Sequence, residues 1–398
     1  MKANNLKIKL LPNTPFLTRG KFNLEKAMDF SGKVGGICYN EEGLLASFKE
    51  DDEATQKRIK NTTSGEHQSV FEHVNIGMYL QNSSKMLNMV LNNEHQYSTS
   101  ERSLRYTAIK EGECTLSKKE IDLYNKWYQI FYDLIEEQYK DVLKPFKMKT
   151  LAKENARYLT SVFVNTEMVH TVPLAQLNRE AVYMQDYINK PNKNAFEERL
   201  SKEFEKFIKE CKRLNLLDER LMSNLKHRKL EIFGEDLRDI PNEFGVTYST
   251  NYKGSLAMYA QAQRHRKGEY QLEFNDDNGF FVPPILEGRE DLVKEYLKDI
   301  NSVKKNYPQG MLVDINERGS FTSFIMKLKE RDCSAAQLEI FRQADKTKHD
   351  YYESLKEKDH PYVKKLEPYM NGRRCSYPDF NCPRACLFNE GIKGTRRI

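Results

Sequence analysis

The chain has 398 residues and a formal net charge of +6 at pH 7, the small difference between 64 basic and 58 acidic side chains. This length allows two domains of ordinary size, and the modest charge excludes the basic footprint of a nucleic-acid-binding protein while favouring small anionic ligands. No apolar run is long enough to cross a membrane, and the first residues lack the apolar core of a signal peptide, so we expect a cytoplasmic protein.

The first elements are a polar segment, a strand and a helix. Residues 1–60 are mixed and polar, and the pairs Ser31-Gly32 and Gly35-Gly36 predict turns there rather than a long helix. Residues 73–81 alternate between apolar and polar side chains, the pattern of a half-buried strand. Residues 83–92 combine a capping serine, Ser83 or Ser84, with an apolar run and predict a helix.

Three polar residues follow this helix at alternate positions, namely Glu101, Ser103 and Arg105. In an extended segment they point the same way. A carboxylate, a hydroxyl and a guanidinium on one face can bind a nucleobase edge, a sugar hydroxyl and a phosphate, because arginine donates to phosphate through two N–H groups. The pattern indicates a nucleotide site, and the alternative is an ordinary polar edge strand.

Two helices and a charged connector come next. The apolar spacing predicts helices over residues 116–143 and 151–165. Residues 190–240 are charged and helix-prone, with predicted segments at 196–214 and 218–230. We interpret this stretch as the joint between two halves, a solvated helical hairpin without a chemical role.

The order of elements then repeats. Residues 244–250 alternate like a strand, and residues 255–263 predict a helix capped by Ser255. Arg264-His265-Arg266 follows directly. Placing Arg264 on Asn93 also places Ser255 on Ser84, so we infer an internal duplication.

Several of these segments resemble the flavin-dependent thymidylate synthases. The family has a Gly-His-x-Ser-x-x-Glu-His entry, which residues 64–74 resemble, and an Arg-His-Arg-x7-Ser signature that ends in Ser-x-Arg-Tyr. Residues 103–106 fit the end of the signature, with Glu101 at its acidic position. Arg264–Arg266, preceded by Gln261, fits the start, and residues 331–340 resemble the family's closing Arg-x5-Gln-x-Glu-Ile segment.

Each half departs from the family pattern where the other keeps it. The first half has Asn93-Glu94-His95 in place of Arg-His-Arg, and the second half lacks the Ser-x-Arg continuation. Thr166-Glu167 replaces a Thr-Arg pair, and the flavin-contacting Asn-x-Arg segment has only an offset candidate, Asn316-Glu317-Arg318. Because family sites form between subunits, the resemblance implies one composite site drawn from both halves. Loss of function in both halves is the alternative.

The resemblance implies an α+β fold with two tandem units, each a largely antiparallel sheet flanked by helices, followed by a cysteine-containing tail. We expect a first synthase-like half at 1–190, a helical connector at 191–242, a second synthase-like half at 243–350 and the tail at 351–398. If one chain imitates a family dimer, two chains imitate the family tetramer, so we expect a homodimer.

By resemblance, the reaction is methylation of dUMP to dTMP, with FAD as cofactor, methylenetetrahydrofolate as the one-carbon donor and NADPH as reductant. The implied catalytic residues are Arg264, Arg331 and Ser103. The implied substrate-binding residues are Glu101, Ser103, Arg105, Gln261, Arg264 and Arg331. The implied flavin-binding residues are His73, Arg264, His265 and Arg266.

Two alternatives stay open at this point. A different flavin- and folate-dependent enzyme on the same scaffold, such as a dUMP hydroxymethylase, would keep the same binding sites and differ in its product. A non-catalytic nucleotide-binding relic would have lost the flavin and would purify colourless.

The tail carries Cys375, Cys382 and Cys386. Three thiolates can bind zinc or an iron–sulfur cluster, but both usually need four protein ligands. Cys333 or His360 could supply the fourth. Unligated thiols are the alternative, and we assign no metal from the sequence. The closing residues 394–398 predict a flexible basic tail.

Overall fold

The computed structural model describes residues 5–65, 67–107, 109, 115–223, 227–234, 236–275, 278–383 and 385–398. The chain divides into two compact units, one made of Met1–Arg102 with Asn165–Gly234 and the other of Ser103–Val164 with Glu235–Ile398. Within the described ranges, every helix is too short or too polar to cross a membrane.

The secondary structure is mixed. The strands are β1 (Lys7–Leu10), β2 (Leu17–Thr18), β3 (Lys21–Phe22), β4 (Asn75–Ser84), β5 (Ser98–Glu101), β6 (Asn165–Pro173), β7 (Glu243–Phe244), β8 (Thr247–Ser255), β9 (Glu269–Glu273) and β10 (Leu312–Ser320). The helices of the first half are α1 (Leu24–Gly35), α2 (Leu44–Lys49), α3 (Asp52–Ser64), α4 (Lys85–Leu91), α5 (Lys118–Tyr139), α6 (Pro145–Ala156) and α7 (Leu174–Asn189). Those that follow are α8 (Ala195–Arg213), α9 (Glu219–Met222), α10 (Leu256–Ala262), α11 (Glu290–Asn301), α12 (Phe321–Arg331), α13 (Leu338–Glu357) and α14 (Val363–Leu366).

The main sheet of the first unit has the strand order β1-β4-β6-β5, and its paired strands are antiparallel. The predicted strand is confirmed as β4, and its alternating apolar side chains Ile76, Met78 and Leu80 are fully buried. The predicted helix after it is confirmed as α4, where the Ser84 hydroxyl accepts a hydrogen bond from the Leu87 N–H at 3.1 Å.

The prediction of turns near residue 32 was wrong, because Gly32 lies inside α1. A Cβ atom at Gly32 would come within 2.6 Å of the Ile59 side chain on α3. The absence of a side chain at Gly32 therefore lets α1 and α3 pack closely, and the backbone freedom of glycine is not needed here.

The predicted connector is not a solvated hairpin. Helix α8 packs within the first unit, and its N-cap Asn194 forms a capping box with Glu197. One face of this helix is buried, formed by Phe196, Leu200, Phe204, Phe207, Ile208 and Cys211. Of the predicted helix at 218–230, only α9 is present among the described residues, and residues 224–226 lie outside them.

The second unit repeats the sheet of the first. Its strand order is β7-β8-β10-β9. In both sheets the last of the four strands along the chain, β6 or β10, lies between the second and the third. The short helix α10 follows β8 as α4 follows β4, and Ser255 caps it through a 3.0 Å bond from the Met258 N–H. The α+β prediction with two largely antiparallel sheets is confirmed, and the repeated order agrees with the inferred duplication.

The predicted boundaries differ from this division of the chain. Residues 103–164, which carry α5 and α6, belong to the second unit although they come from the first half of the sequence. Trp127 and Phe131 of α5 share a buried core with Tyr296 and Ile300 of α11. The predicted helix at 151–165 ends at Ala156, and residues 165–173 form β6 instead.

The flexible tail was also predicted wrongly. Arg396 is only 3% exposed and Ile398 only 2%, and Ile398 joins the same apolar core as Trp127. The Arg396 guanidinium donates to the Ala336 carbonyl and lies 5.0 Å from the ring centroid of Phe388. These contacts hold the last residues of the sequence against the second unit.

Candidate active site

Glu101, Ser103 and Arg105 were expected to share one face of an extended strand, but the strand ends at Glu101. Glu101 ends β5 in the first unit, where its carboxylate accepts hydrogen bonds from Lys85 Nζ at 2.8 Å and Asn88 Nδ2 at 3.1 Å. The chain then turns, since the N–H groups of Tyr106 and Thr107 both donate to the Ser103 carbonyl. Ser103 and Arg105 therefore lie in the second unit, on a turn.

Arg105 is partly buried on this turn. Its Nη1 lies 3.5 Å from a carboxylate oxygen of Glu154 on α6, and its guanidinium carbon lies 5.5 Å from the Tyr106 ring centroid. The Ser103 hydroxyl accepts a hydrogen bond from the Arg105 backbone N–H at 3.3 Å, so both residues belong to the same turn. This pair provides the donors that a phosphate group requires.

The Arg-His-Arg triplet lies on the turn after α10. His265 is 3% exposed, with Nδ1 at 3.0 Å from the Glu330 carboxylate and Nε2 at 3.3 Å from the Ser323 carbonyl. Both partners are acceptors, so the ring can donate to both only when both its nitrogens carry protons. His265 thus fixes the triplet against α12, while Arg264 is partly exposed and Arg266 is exposed.

Arg331 ends α12 beside this triplet. One of its Nη atoms donates to the Gln261 carbonyl at 3.4 Å, and its Nε has no hydrogen-bond partner among the described residues. Burial lowers the pKa of Arg331, and the charges of Arg105 and Arg264 lower it further against the opposing effects of Glu330 and Tyr270. The charges of Arg105 and Arg264 therefore both act on Arg331, and we call these three residues the arginine cluster.

The arginine cluster joins residues far apart in the sequence. Like charges gathered in a partly buried place repel one another, and an anion bound among them removes that cost. The same electrostatics attracts a phosphate or a ring that becomes negatively charged during a reaction.

The closing segment positions the helix that precedes Arg264. Glu339 is buried and accepts hydrogen bonds from the Ser255 hydroxyl at 2.6 Å and the Tyr158 hydroxyl at 2.8 Å. Gln337 donates to the Tyr158 hydroxyl at 2.7 Å. Burial raises the pKa of Glu339, against the effect of these donors. Because Ser255 caps α10, this network fixes the start of the helix that leads to Arg264.

Arg157 is a residue that the sequence reasoning missed. It is 6% exposed, and its Nε and one Nη have no hydrogen-bond partner among the described residues. Glu154, which contacts Arg105, lies one helical turn before it. The available signal was an arginine between Ala156 and the apolar pair Tyr158-Leu159, where a buried charge needs a partner.

Two further positions were expected to contact the flavin. His73 is exposed and belongs to the first unit. Asn316, in the offset Asn-x-Arg candidate, is buried in β10, and its Nδ2 donates to Ser249 Oγ and Asn251 Oδ1, each at 2.9 Å. The Asn316 amide nitrogen is therefore engaged within the sheet.

The first unit carries an acidic counterpart of the triplet. Glu94 lies ten residues after the capping Ser84, as His265 does after Ser255. Glu94 is fully buried, and its carboxylate accepts from Arg228 Nη2 at 2.5 Å and from the Glu231 N–H at 2.6 Å. At the position equivalent to His265, the first unit therefore has a carboxylate that binds Arg228 of the same unit.

Residues 32–181 match the model of a family described as thymidylate synthase complementing protein. Thymidylate synthase X from Helicobacter pylori, solved with FAD and dUMP, is similar at 14% identity and a TM-score of 0.31, covering 54% of this chain and 99% of that one. The UMP/dUMP methylase PolB from Streptomyces cacaoi, bound with 5-Br dUMP, is similar at 14% identity and a TM-score of 0.30, covering 55% of this chain and 93% of that one. No curated protein matches the chain.

Proposed function

We propose that this chain, whose residues 32–181 belong to the thymidylate synthase complementing protein family, catalyses the flavin-dependent methylation of dUMP to dTMP. Methylenetetrahydrofolate would give the one-carbon unit and NADPH the reducing equivalents. The observation that carries the proposal is the arginine cluster of the second unit, in which Arg331 Nε is left without a partner among the described residues.

The phosphate of dUMP would bind at the Ser103 turn. Arg105 and Ser103 offer donors from one turn, and Arg157 would add a buried guanidinium with two donor nitrogens unused by the described residues. A charge-assisted hydrogen bond between guanidinium and phosphate is stronger than one between neutral groups. This part of the site therefore supplies affinity and fixes the position of the nucleotide.

The pyrimidine ring would lie against Arg264, Arg331 and Gln261. Negative charge that develops on the ring during methyl transfer is stabilised by cations that are held in place before the reaction. The His265 contacts and the Glu339–Ser255 bond hold Arg264 and its helix in position, so little rearrangement is needed when the substrate binds.

The cofactor we propose is FAD, and the donor set of the second unit fits it. The arginines at 264 and 266 lie on one turn, and a flavin carries negative phosphates and, when reduced, a negative ring. FAD supplies the hydride and one-carbon transfer chemistry that amino-acid side chains lack. His73, in the other unit, and Glu101 stay predictions as ligand contacts.

We further propose one working site in each chain and a homodimer in the cytoplasm. A single site is supported by Glu94, because at the position of His265 the first unit has a buried carboxylate that already binds Arg228 and offers no donor to an anion.

The test of the proposed function is the visible absorbance spectrum of the purified full chain, before and after addition of FAD and dUMP. We expect flavin bands that shift when dUMP binds. An Arg264→Ala variant should retain much less FAD through gel filtration, because it loses one cation of the cluster. The matched control is Arg289→Ala, which removes a partly exposed arginine paired with Glu137 in the same unit.

A protein that stays colourless and does not retain added FAD would contradict the synthase proposal. A nucleotide-binding relic would then be the better account. Analysis of the product by chromatography separates dTMP from a hydroxymethyl nucleotide.

Replacing Arg157 by glutamine should weaken dUMP binding about tenfold, since a hydrogen bond to a charged group contributes about 1.5 kcal/mol or more. Isothermal titration with dUMP and with deoxyuridine checks the assignment. Deoxyuridine lacks the phosphate, so its affinity should be the same for Arg157→Gln and the unaltered protein. An equal loss of affinity for both ligands would contradict a phosphate role for Arg157.

A further inference from the structure

Helix α6 of the second unit carries three lysines on one side. Lys149 and Lys153 lie four residues apart, so they are neighbours on the helix surface, and Phe146 lies three residues before Lys149 on the same side. Lys147 borders Phe146. Lys149 is exposed, and Lys147 and Lys153 are partly exposed. We call Lys147, Lys149 and Lys153 the lysine face.

The charge of the lysine face is not neutralised by salt bridges. Within the described ranges, none of its three lysines forms one. Glu154, the one acidic residue in the sequence of α6, is 7% exposed, and its carboxylate lies 3.5 Å from Arg105. Lys149 and Lys153 repel each other, as like charges four residues apart on a helix do. An anion bound along the face would remove this repulsion.

Two contacts join α6 to the turn that holds Ser103 and Arg105. One is the contact between Glu154 and Arg105, and the other is the 3.4 Å hydrogen bond that Lys153 Nζ donates to the Tyr106 carbonyl. An ammonium group has three N–H donors, so this bond leaves two for a ligand. The lysine face therefore begins at the turn that we propose binds the phosphate of dUMP. It extends from there by about 9 Å towards the start of the helix.

The surroundings of Lys147 agree with this placement. Burial lowers the pKa of Lys147, and the charges of Arg105 and Arg396 lower it further against the effect of Glu154. A lysine in such surroundings gains from a nearby anion, because the anion favours its charged form.

An exposed aromatic ring lies among these lysines. The ring belongs to Phe146, which is 72% exposed. A ligand with an aromatic ring and several carboxylates would contact both kinds of group. The folate that we propose as one-carbon donor has this chemistry, because its aminobenzoyl ring carries a glutamate to which further glutamates can be joined through γ-amide bonds. Each added glutamate brings one more carboxylate.

We propose that the lysine face binds the γ-linked glutamate chain of the folate substrate. This inference rests on the proposed function, since it names the form of folate that the same site prefers. Carboxylates accept charge-assisted hydrogen bonds from lysine ammonium groups. Because the lysines are exposed or partly exposed, salt screens the attraction. The face adds affinity for the folate outside its reacting part.

The test compares methylenetetrahydrofolate carrying one glutamate with the form carrying five, in assays of dTMP formation at low ionic strength. We expect KM to be about tenfold lower for the five-glutamate form, the combined effect of a few partly exposed charge pairs. In the double variant Lys149→Gln/Lys153→Gln this ratio should fall to about two or less. The matched control is Lys118→Gln/Lys346→Gln, which removes two exposed lysines of the same unit and should keep the tenfold ratio.

A second measurement needs no turnover. Isothermal titration of the full chain with folic acid carrying one or five glutamates gives the preference directly. A preference for five glutamates without any dTMP formation would support the lysine face and contradict the synthase proposal. Formation of dTMP with equal KM for the two folates would overturn the role of the lysine face and leave the synthase proposal standing.

Two further outcomes would overturn the role of the lysine face. One is folic acid that binds equally well with one glutamate and with five, or that does not bind. The other is a double variant that loses affinity for dUMP as much as for the five-glutamate folate, because the lysines would then attract anions in general.

Discussion

Replacing Arg331 with alanine is expected to lower kcat/KM for dTMP formation by about 10²–10³-fold, the loss usual for removing one preorganised charge-stabilising donor. Arg331 is the cluster member whose Nε has no partner among the described residues, and its pKa is lowered first by burial and then by Arg105 and Arg264. Such a group gains most when negative charge develops beside it. Initial rates with dUMP, methylenetetrahydrofolate and NADPH measure the effect.

Two further variants sharpen this prediction. Arg331→Lys should recover only part of the rate, because an ammonium group cannot reproduce the planar fork of a guanidinium. Arg342→Ala is the control, since Arg342 lies on α13 with its side chain 46% exposed and only a 3.8 Å contact to Glu287. If Arg331→Ala retained the rate of the unaltered protein, Arg331 would have no catalytic role.

Replacing Lys327 with methionine should lower the free energy of unfolding by roughly 3–5 kcal/mol, the cost of leaving a buried charge without its partner. Lys327 Nζ lies 2.5 Å from both Glu317 oxygens, and both side chains are almost fully buried. The hydroxyls of Tyr248 and Tyr252 also donate to this carboxylate. Urea denaturation followed by circular dichroism measures the loss.

The effect of Lys327→Met on stability should depend on pH, because Glu317 is an ionisable group. Burial acts to raise the pKa of Glu317, but Lys327 and the tyrosine donors outweigh it and leave the pKa below its ordinary value. In the unaltered protein the pair therefore stabilises the fold fully above the ordinary glutamate pKa, and its contribution falls as the pH drops through the lowered value. The Lys327→Met defect should be smaller in acid, where the lone carboxyl group can protonate.

The control for Lys327 is an exposed pair. Lys346→Met removes the partner of Asp350 on the surface of α13, where the two side chains are 66% and 41% exposed, and should change stability by less than about 1 kcal/mol. Adding Glu317→Gln to Lys327→Met should recover part of the loss, since it removes the unpaired charge. A defect in Lys327→Met no larger than that of Lys346→Met would contradict the importance of the buried pair.

Local signals in the sequence were sufficient for the elements around the site. Ser83 or Ser84 in the first unit and Ser255 in the second were expected to cap equivalent helices. Ser84 and Ser255 do so, and each hydroxyl accepts a hydrogen bond from a backbone N–H of its helix. The alternating apolar positions of β4 were expected to be buried, and they are. Capping and alternation are properties of a few neighbouring residues, so a short sequence window contains the information.

The same windows misjudged residues whose role depends on distant partners. Gly32 was expected in a turn and lies in a helix, because its neighbour is Ile59 across a helix contact. The connector helix was expected in solvent, yet its apolar face is buried in the first unit. Ser103 and Arg105 were expected on an extension of the strand of Glu101, and the chain turns there instead.

The sequence by itself determined the order of elements, the repeat of strand, helix and signature, and the identity of the residues that one half kept and the other lost. The tertiary structure decided which of those residues meet. It places Arg105, Arg264 and Arg331 in one unit. His265 contacts α12, and Glu101 lies beside Lys85. Local periodicity carries no information on contacts between residues more than a hundred positions apart, because those depend on how sheets and helices pack.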